Sequence, residues 1–171
     1  MNIIGMPHKM ISGNRVNLRP LKVVDVTQRY VDWLNDPEVN HFLSVKDIRQ
    51  DIDMVQAYVR SYEGVKERLL LGVFDKTNEK HIGNITFSSI DRENGFGTVG
   101  IAIGDKAYWG KGYASEALKE VINYAFFSLK LKKIEAGVDV DNLASQKLFK
   151  NVGFITDHIV NDRQIMFRIE P

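Results

Sequence analysis

The run Trp109-Gly110-Lys111-Gly112-Tyr113-Ala114-Ser115 concentrates residue types that hold an anion through the backbone. Glycine at 110 and 112 allows a tight turn, and small residues at 112 and 114 let a diphosphate approach the amides with no Cβ in the way. Ser115 adds a hydroxyl. The run lies between a strand pattern, Phe96 to Ile103, and a long helical pattern, so its amides gather where a helix dipole is positive. A turn whose glycines serve backbone shape alone fits the same letters. The two common nucleotide motifs do not fit, because Gly-Lys-Ser/Thr after a four-residue spacer and Gly-x-Gly-x-x-Gly are both absent.

A second group with chemical potential follows downstream. Asn142 precedes a helical stretch, Leu143 to Val152, and is placed to cap it. Ser145 falls in the first turn of that helix, where its hydroxyl either bonds to the backbone or is free for chemistry. The absence of cysteine removes disulfides, thiolate-metal sites and any acyl-cysteine intermediate. His8, His41, His81 and His158 show no helical pairing, so no metal site is expected.

Arg15 to Arg19 alternates Val16 and Leu18 with polar neighbours, a short strand closed by Pro20. Asp25 and Gln28 have the spacing of a capping box for a helix that aligns Tyr30, Trp33 and Leu34 and stops at Asn35-Asp36-Pro37. Ile48, Ile52, Val55 and Val59 predict a second helix to about Tyr62, with Gly64 beyond it. Leu69 to Phe74, Ile82 to Ile90 and Phe96 to Ile103 read as an antiparallel meander. Ala114, Ala117, Leu118, Val121, Ile122, Ala125 and Leu129 mark one face of a long helix. Lys133 to Val140 and Gln164 to Ile169 complete the strands, giving the order β-α-α-β-β-β-α-β-α-β, an α/β pattern with a mixed sheet.

The bulk properties narrow the function classes. The 171 residues suit one compact domain, read as residues 14–171 behind a loosely tied segment of residues 1–13. Lys+Arg and Asp+Glu stand at 23 against 22, so no global field draws the chain to nucleic acid or an anionic membrane. With no apolar run of about 18 residues and no leader-like start, the expectation is a cytoplasmic protein.

The run Ala107-Tyr-Trp-Gly-Lys-Gly-Tyr-Ala-Ser-Glu-Ala-Leu118, with Asn142-x-x-Ser145 and Gly153-Phe154 following in order, resembles the GNAT acetyltransferases. It is similar to the branch containing the ribosomal-protein N-terminal acetyltransferases, in which Trp commonly replaces the Gln/Arg that opens the glycine motif. The likeness spans Arg15 to Phe154. It implies the GNAT fold, a mixed and mostly antiparallel sheet of about six to seven strands flanked by about four helices. It also implies acetyl-CoA as cosubstrate, its diphosphate at Trp109 to Ser115, its pantetheine arm along Ile101, Ala102 and Ile103, and a contact from Asn142. Peptide-like pantetheine can add to a strand edge through amide bonds, which leaves side-chain identity there free.

The same resemblance marks two departures. Many relatives place a tyrosine acid where this chain has Phe149, and a glutamate base where it has Thr98. Ser145 is the hydroxyl left at a matching position and is the catalytic candidate, to orient or protonate the departing sulfur. An ammonium acceptor must lose a proton, through a water chain ending at a group such as His81, Asp91, Glu93 or Asp139. Trp33, Phe42 and Asn84 fall where the family borders its acceptor cleft, and core packing explains the aromatic pair equally. The expected reaction is direct acetyl transfer to a primary amine, a small amine or amino sugar ahead of a protein N-terminus. A non-catalytic acyl-CoA-binding module is the rival, and a homodimer is compatible with either.

Overall fold

The computed structural model describes residues 10–171; the first nine residues of the loosely tied segment expected over residues 1–13 lie outside them, whereas Ile11 and Ser12 of that segment are held in the sheet by pairing with Leu18 and Asn17. The first two strands are β1 (Ile11–Ser12) and β2 (Val16–Pro20), joined antiparallel. Three helices follow: α1 (Gln28–Asn35), α2 (Pro37–Asn40) and α3 (Ile52–Arg60). The meander is β3 (Leu69–Asp75), β4 (His81–Asp91) and β5 (Phe96–Ile103). The long helix α4 (Tyr113–Phe127) leads to β6 (Lys133–Asp139), α5 (Leu143–Asn151), β7 (Ile155–Asn161) and β8 (Gln164–Ile169). Among the described residues the strands form one eight-stranded sheet, ordered β1-β2-β3-β4-β5-β6-β8-β7.

Every neighbouring pair is antiparallel except β5 and β6. A parallel pair needs a crossover, and α4 supplies it. α4 lays Ala117, Leu118, Val121 and Ala125 on one face of the sheet, against Leu71, Val73, Ile85 and Phe87. On the other face α1 and α3 bury Tyr30, Val31, Val55 and Val59 with Leu70 and Phe74. Covered on both sides, β3 is buried throughout, which explains its unbroken apolar run Leu69-Leu70-Leu71.

Several boundaries differ from the sequence reading. Thr27 caps α1 by accepting from the Tyr30 amide, whereas Asp25 closes a preceding 3-10 turn and pairs with Arg19 at 2.7 Å. A neighbouring cation and a nearby cap together outcompeted the capping-box spacing. Likewise Asp51 caps α3, so Ile48 lies outside the helix and is exposed. Two strands are additional. β1 is too short to show a period, and β7 is an edge strand with all seven residues exposed, so no buried face imprints alternation on its sequence.

Candidate active site

The β5–β6 ladder is short. Phe96, Gly97 and Thr98 pair with Lys133, Ile134 and Glu135, and the pairing then stops although both strands continue. Beyond Thr98 the two strands form a fork, leaving the β6-facing edge of β5 without a ladder partner. A cavity of about 370 Å³ fills this region. One half is lined by Val99 to Ala102 of β5, Gly137 to Asp139 of β6, and Asn142, Ser145 and Phe149 of α5. The other half comes from the opposite layer: Tyr30 and Leu34 of α1, residues 42–45, Gln50, Val55 and Tyr58, with Leu70, Asn84 and Thr86 from the sheet.

The glycine turn leads from this fork into α4. Gly110 and Gly112 have φ of +68° and +83°, a left-handed geometry that strains any residue with a Cβ. Gly112 is also the N-cap of α4 and contributes no side-chain cap, so the first amides of the helix lack a partner from a capping side chain. A Cβ on Gly110 would meet nothing within 4 Å, and one on Gly112 would meet only the Arg15 guanidinium. An open, uncapped N-terminus of a fifteen-residue helix, reached by a backbone of left-handed glycines, suits a diphosphate.

Side chains around the turn hold its shape. The Trp109 indole donates to the Ile103 carbonyl at 2.7 Å, tying the turn to the end of β5. Lys111 donates to the Ala107 carbonyl at 2.7 Å, and Tyr108 donates to Asp75 at 2.8 Å. Arg15, about a hundred residues away in sequence, spans the turn. Its Nε meets Glu116 at 2.9 Å, one terminal nitrogen donates to the Lys111 carbonyl at 2.9 Å, and the guanidinium lies 4.4 Å from the centre of the Tyr113 ring. Partial burial pushes the Glu116 carboxyl up, but bonds from the Arg15 backbone and side chain hold it below its ordinary range.

Asn142 caps α5 by accepting from the Ser145 amide at 3.1 Å, and both residues line the cavity. Across from them lies a neutral polar chain. The ring of His81 and the Asn84 carboxamide oxygen are 2.8 Å apart, so His81 Nε2–H donates to Asn84. His81 is buried and packs edge-on to Tyr30 at 5.2 Å. Burial pushes the His81 imidazole below its ordinary range, with the Asn84 bond opposing it. Burial likewise pushes the Tyr30 hydroxyl up to about 12, against an opposing hydrogen bond from Asn84. Both groups are therefore uncharged at neutral pH.

The structure brings together Ile101, Ala102, Asn142, Ser145, Phe42 and Asn84 around one cavity. Ile103 and the run Trp109 to Ser115 lie outside its lining, at the end of the fork and the start of α4. Trp33 is not among the lining residues either; it is buried against Tyr30 and His81 and lies flat against Gly104, where a Cβ would strike its ring. Of the groups named for proton removal, Asp139 lines the cavity and His81 reaches it through its neighbours Asn84 and Tyr30. Asp91 and Glu93 border a separate hollow with Ser89 and Phe96. Thr98 sits in the ladder opposite Glu135, which pairs with Lys133 at 2.7 Å and does not line the cavity. Phe149 is buried in the core as well as touching the cavity. Tyr30 and Arg15 were not singled out from sequence, since each acts through residues distant along the chain. Among the described residues no group of three or more metal-binding side chains occurs.

A parallel fork before a glycine-lined helix start is the architecture of an acyl-CoA-dependent transferase, and comparison with known proteins gives the family. The model of the acetyltransferase (GNAT) domain matches residues 15–155, so the chain belongs to the GNAT acetyltransferases, enzymes that use acetyl-CoA. It is 36% identical over 152 residues to the uncharacterized N-acetyltransferase p20 of Bacillus licheniformis, covering 86% of this chain and 83% of that one. The fold is also that of the GNAT-family acetyltransferase from Bacillus anthracis, with TM-score 0.82, 19% identity and 95% and 98% of the two chains covered. A spermidine N-acetyltransferase from Vibrio cholerae, solved with CoA and spermine, superposes with TM-score 0.80 at 19% identity over 91% and 95% of the chains.

Proposed function

We propose that this acetyltransferase moves the acetyl group of acetyl-CoA directly to a small primary amine in preference to a protein N-terminus. One observation carries this reading: the unpaired edge of β5 opens into the same cavity that α1, α3 and residues 42–45 close from the other side. A thioester arm along Ile101 and Ala102 and an amine from the opposite half would thus meet in one space. The chain lacks cysteine, so a nucleophile of the kind that would carry the acetyl group on sulfur is missing. A protein N-terminus would call for a charged groove, and among the described residues Asp139 is the one charged side chain in the lining.

In the reaction the amine nitrogen attacks the thioester carbonyl, the carbon–sulfur bond breaks, and the sulfur leaves with a proton. β5 amides along the open edge are suited to meet the developing oxyanion. Ser145, on the cofactor half of the cavity, is suited to orient or protonate the sulfur. Asp139 is the acid group of the lining to which a water chain could deliver the ammonium proton.

Thiol release from acetyl-CoA, measured across a panel of primary amines, tests the reading. Amine-dependent release supports it, whereas CoA binding with no acceleration by any amine favours an acyl-CoA-binding module instead. Ser145→Ala is expected to lower kcat about tenfold with CoA affinity unchanged, a modest share of the usual effect of a proton-transferring group. Unchanged turnover removes Ser145 from the chemistry.

A further inference from the structure

Resting on that reading, we infer that the acceptor is a monoamine with an apolar body, aryl-alkyl or branched aliphatic, and that polyamines and amino sugars are poor substrates. The charge inventory is the first support. Asp139, the one charged residue in the described lining, belongs to β6 on the cofactor half. Its carboxylate already accepts from the Asp141 amide at 2.9 Å and lies 3.8 Å from Arg163. The acceptor half therefore has no carboxylate to pair with a second or third ammonium. A buried, unpaired ammonium is strongly disfavoured.

The polar groups of the acceptor half are the second support. A sugar ring brings several hydroxyls, each needing a partner when it leaves water. Here the Asn84 oxygen is taken by His81 at 2.8 Å, and the Tyr58 hydroxyl is paired with that of Tyr62 at 3.0 Å. The side-chain amide of Gln50 donates to the Ile48 carbonyl at 3.0 Å. Ser44, Thr86 and the Tyr30 hydroxyl, which already accepts from Asn84, are left as neutral groups near an amine, too few for a polyol.

The walls are the third. Leu34, Phe42, Leu43, Val45, Val55 and Leu70 surround this half from four different segments. Phe42 is 42% exposed, stacked edge-on against His41 at 4.5 Å, and presents an apolar ring beside a cavity. An apolar substrate body is the chemistry that would cover it. Neutral polar groups within an apolar enclosure favour the uncharged amine and a body without further charge.

The test is thiol release by the full chain with acetyl-CoA and four probes: phenethylamine, isoamylamine, spermidine and glucosamine. The expected kcat/KM for the first two exceeds that for the last two by at least about tenfold, the discrimination a pocket gives when polar groups must go unpaired. Spermidine or glucosamine matching phenethylamine overturns this inference and leaves amine acetylation standing. No release with any probe, while CoA binds, overturns the transferase reading itself. Phe42→Glu, at a solvent-facing position that tolerates charge, should shift the spermidine-to-phenethylamine ratio upward by about tenfold. An unchanged ratio in a folded variant removes Phe42 and its loop from acceptor recognition.

Discussion

The proposed cofactor site, which runs from the β5 side of the cavity to the glycine turn, and the proposed acceptor half of the cavity are made from different materials. The first uses main chain: the unpaired edge of β5, left-handed Gly110 and Gly112, and the uncapped amides of α4. The second uses side chains delivered by α1, residues 42–45, α3, β3 and β4. Backbone groups are the same in every residue, so the first half needs particular residues only where backbone shape demands them. The second half has no such economy, and each substitution there alters what fits. A family can therefore keep its cofactor and change its acceptor by altering one layer of the molecule.

The strongest way to break this comparison is Gly112→Val. The valine would have to adopt φ near +83° at the helix start, costing about 1–2 kcal/mol in backbone strain, and would place a branched side chain at the proposed diphosphate. CoA affinity is expected to fall at least about a hundredfold, equivalent to about 2.7 kcal/mol, with far-UV circular dichroism unchanged. Calorimetric titration with CoA reads the outcome. Intact affinity in a folded variant would remove the turn from cofactor binding altogether.

Asn84→Leu probes the other half. It leaves the buried His81 Nε2–H without its acceptor, so stability should drop by about 1–3 kcal/mol. The KM for the amine should rise severalfold with CoA affinity little changed, because the Asn84 side chain bonds to Tyr30 and His81, while its pairing with Ala102 runs through the main chain and survives the substitution. If CoA affinity fell with it, the two halves would not be separable as described.

That division also explains what could be read from sequence. Glycine at 110 and 112, and Asn142 ahead of α5, are dictated by local backbone needs, and local needs leave marks in short windows. Ile101 and Ala102 could be placed because β5 is a clear strand preceding that turn. By contrast, Tyr30 reads as one more core aromatic of α1, and its contact with Asn84 and His81 depends on how α1 sits on β4. Trp33, three residues on, looked equally suited to the cleft but turns into the layer beneath Gly104. At the sheet edge β7 was invisible because nothing buries it. Periodicity records burial, and neither an edge strand nor a packing angle between layers is encoded in one segment's pattern.

Acidification should affect the acceptor half through His81. Its imidazole is held below its ordinary range when folded, so the unfolded chain takes up a proton first as pH falls through about 6.5. With more protons bound in the unfolded state, stability is full above that pH and declines below it, until the folded-state value is reached. The expected loss between pH 7 and 5.5 is up to about 1 kcal/mol. Asp25, whose carboxyl is driven below its ordinary range by Arg19 and the Lys22 amide against the opposing effect of burial, adds its loss only at lower pH. Thermal melts over this interval should show the decline in the native chain and a flatter profile in His81→Gln, which retains an amide donor for Asn84. An equal decline in both would place the sensitive group elsewhere.

The smallest effect should come from Arg15, and its size bears on how far the cofactor half depends on side chains at all. Arg15 bridges Glu116 and the Lys111 carbonyl, but its side chain is 46% exposed. Glu116 would not be stranded by its loss, since the backbone amides of Arg15 and Val16 also donate to it at 2.6 and 3.3 Å. Arg15→Ala should therefore cost about 0.5–1 kcal/mol of stability and raise the CoA Kd about two- to threefold. Arg15→Lys should recover little of this, because an ammonium cannot span the carboxylate and the carbonyl as the planar fork does. Were Arg15→Ala to weaken CoA binding as much as Gly112→Val, the turn would depend on a clamp from β2 as strongly as on its glycines, and the contrast between a backbone-built half and a side-chain-built half would have to be given up.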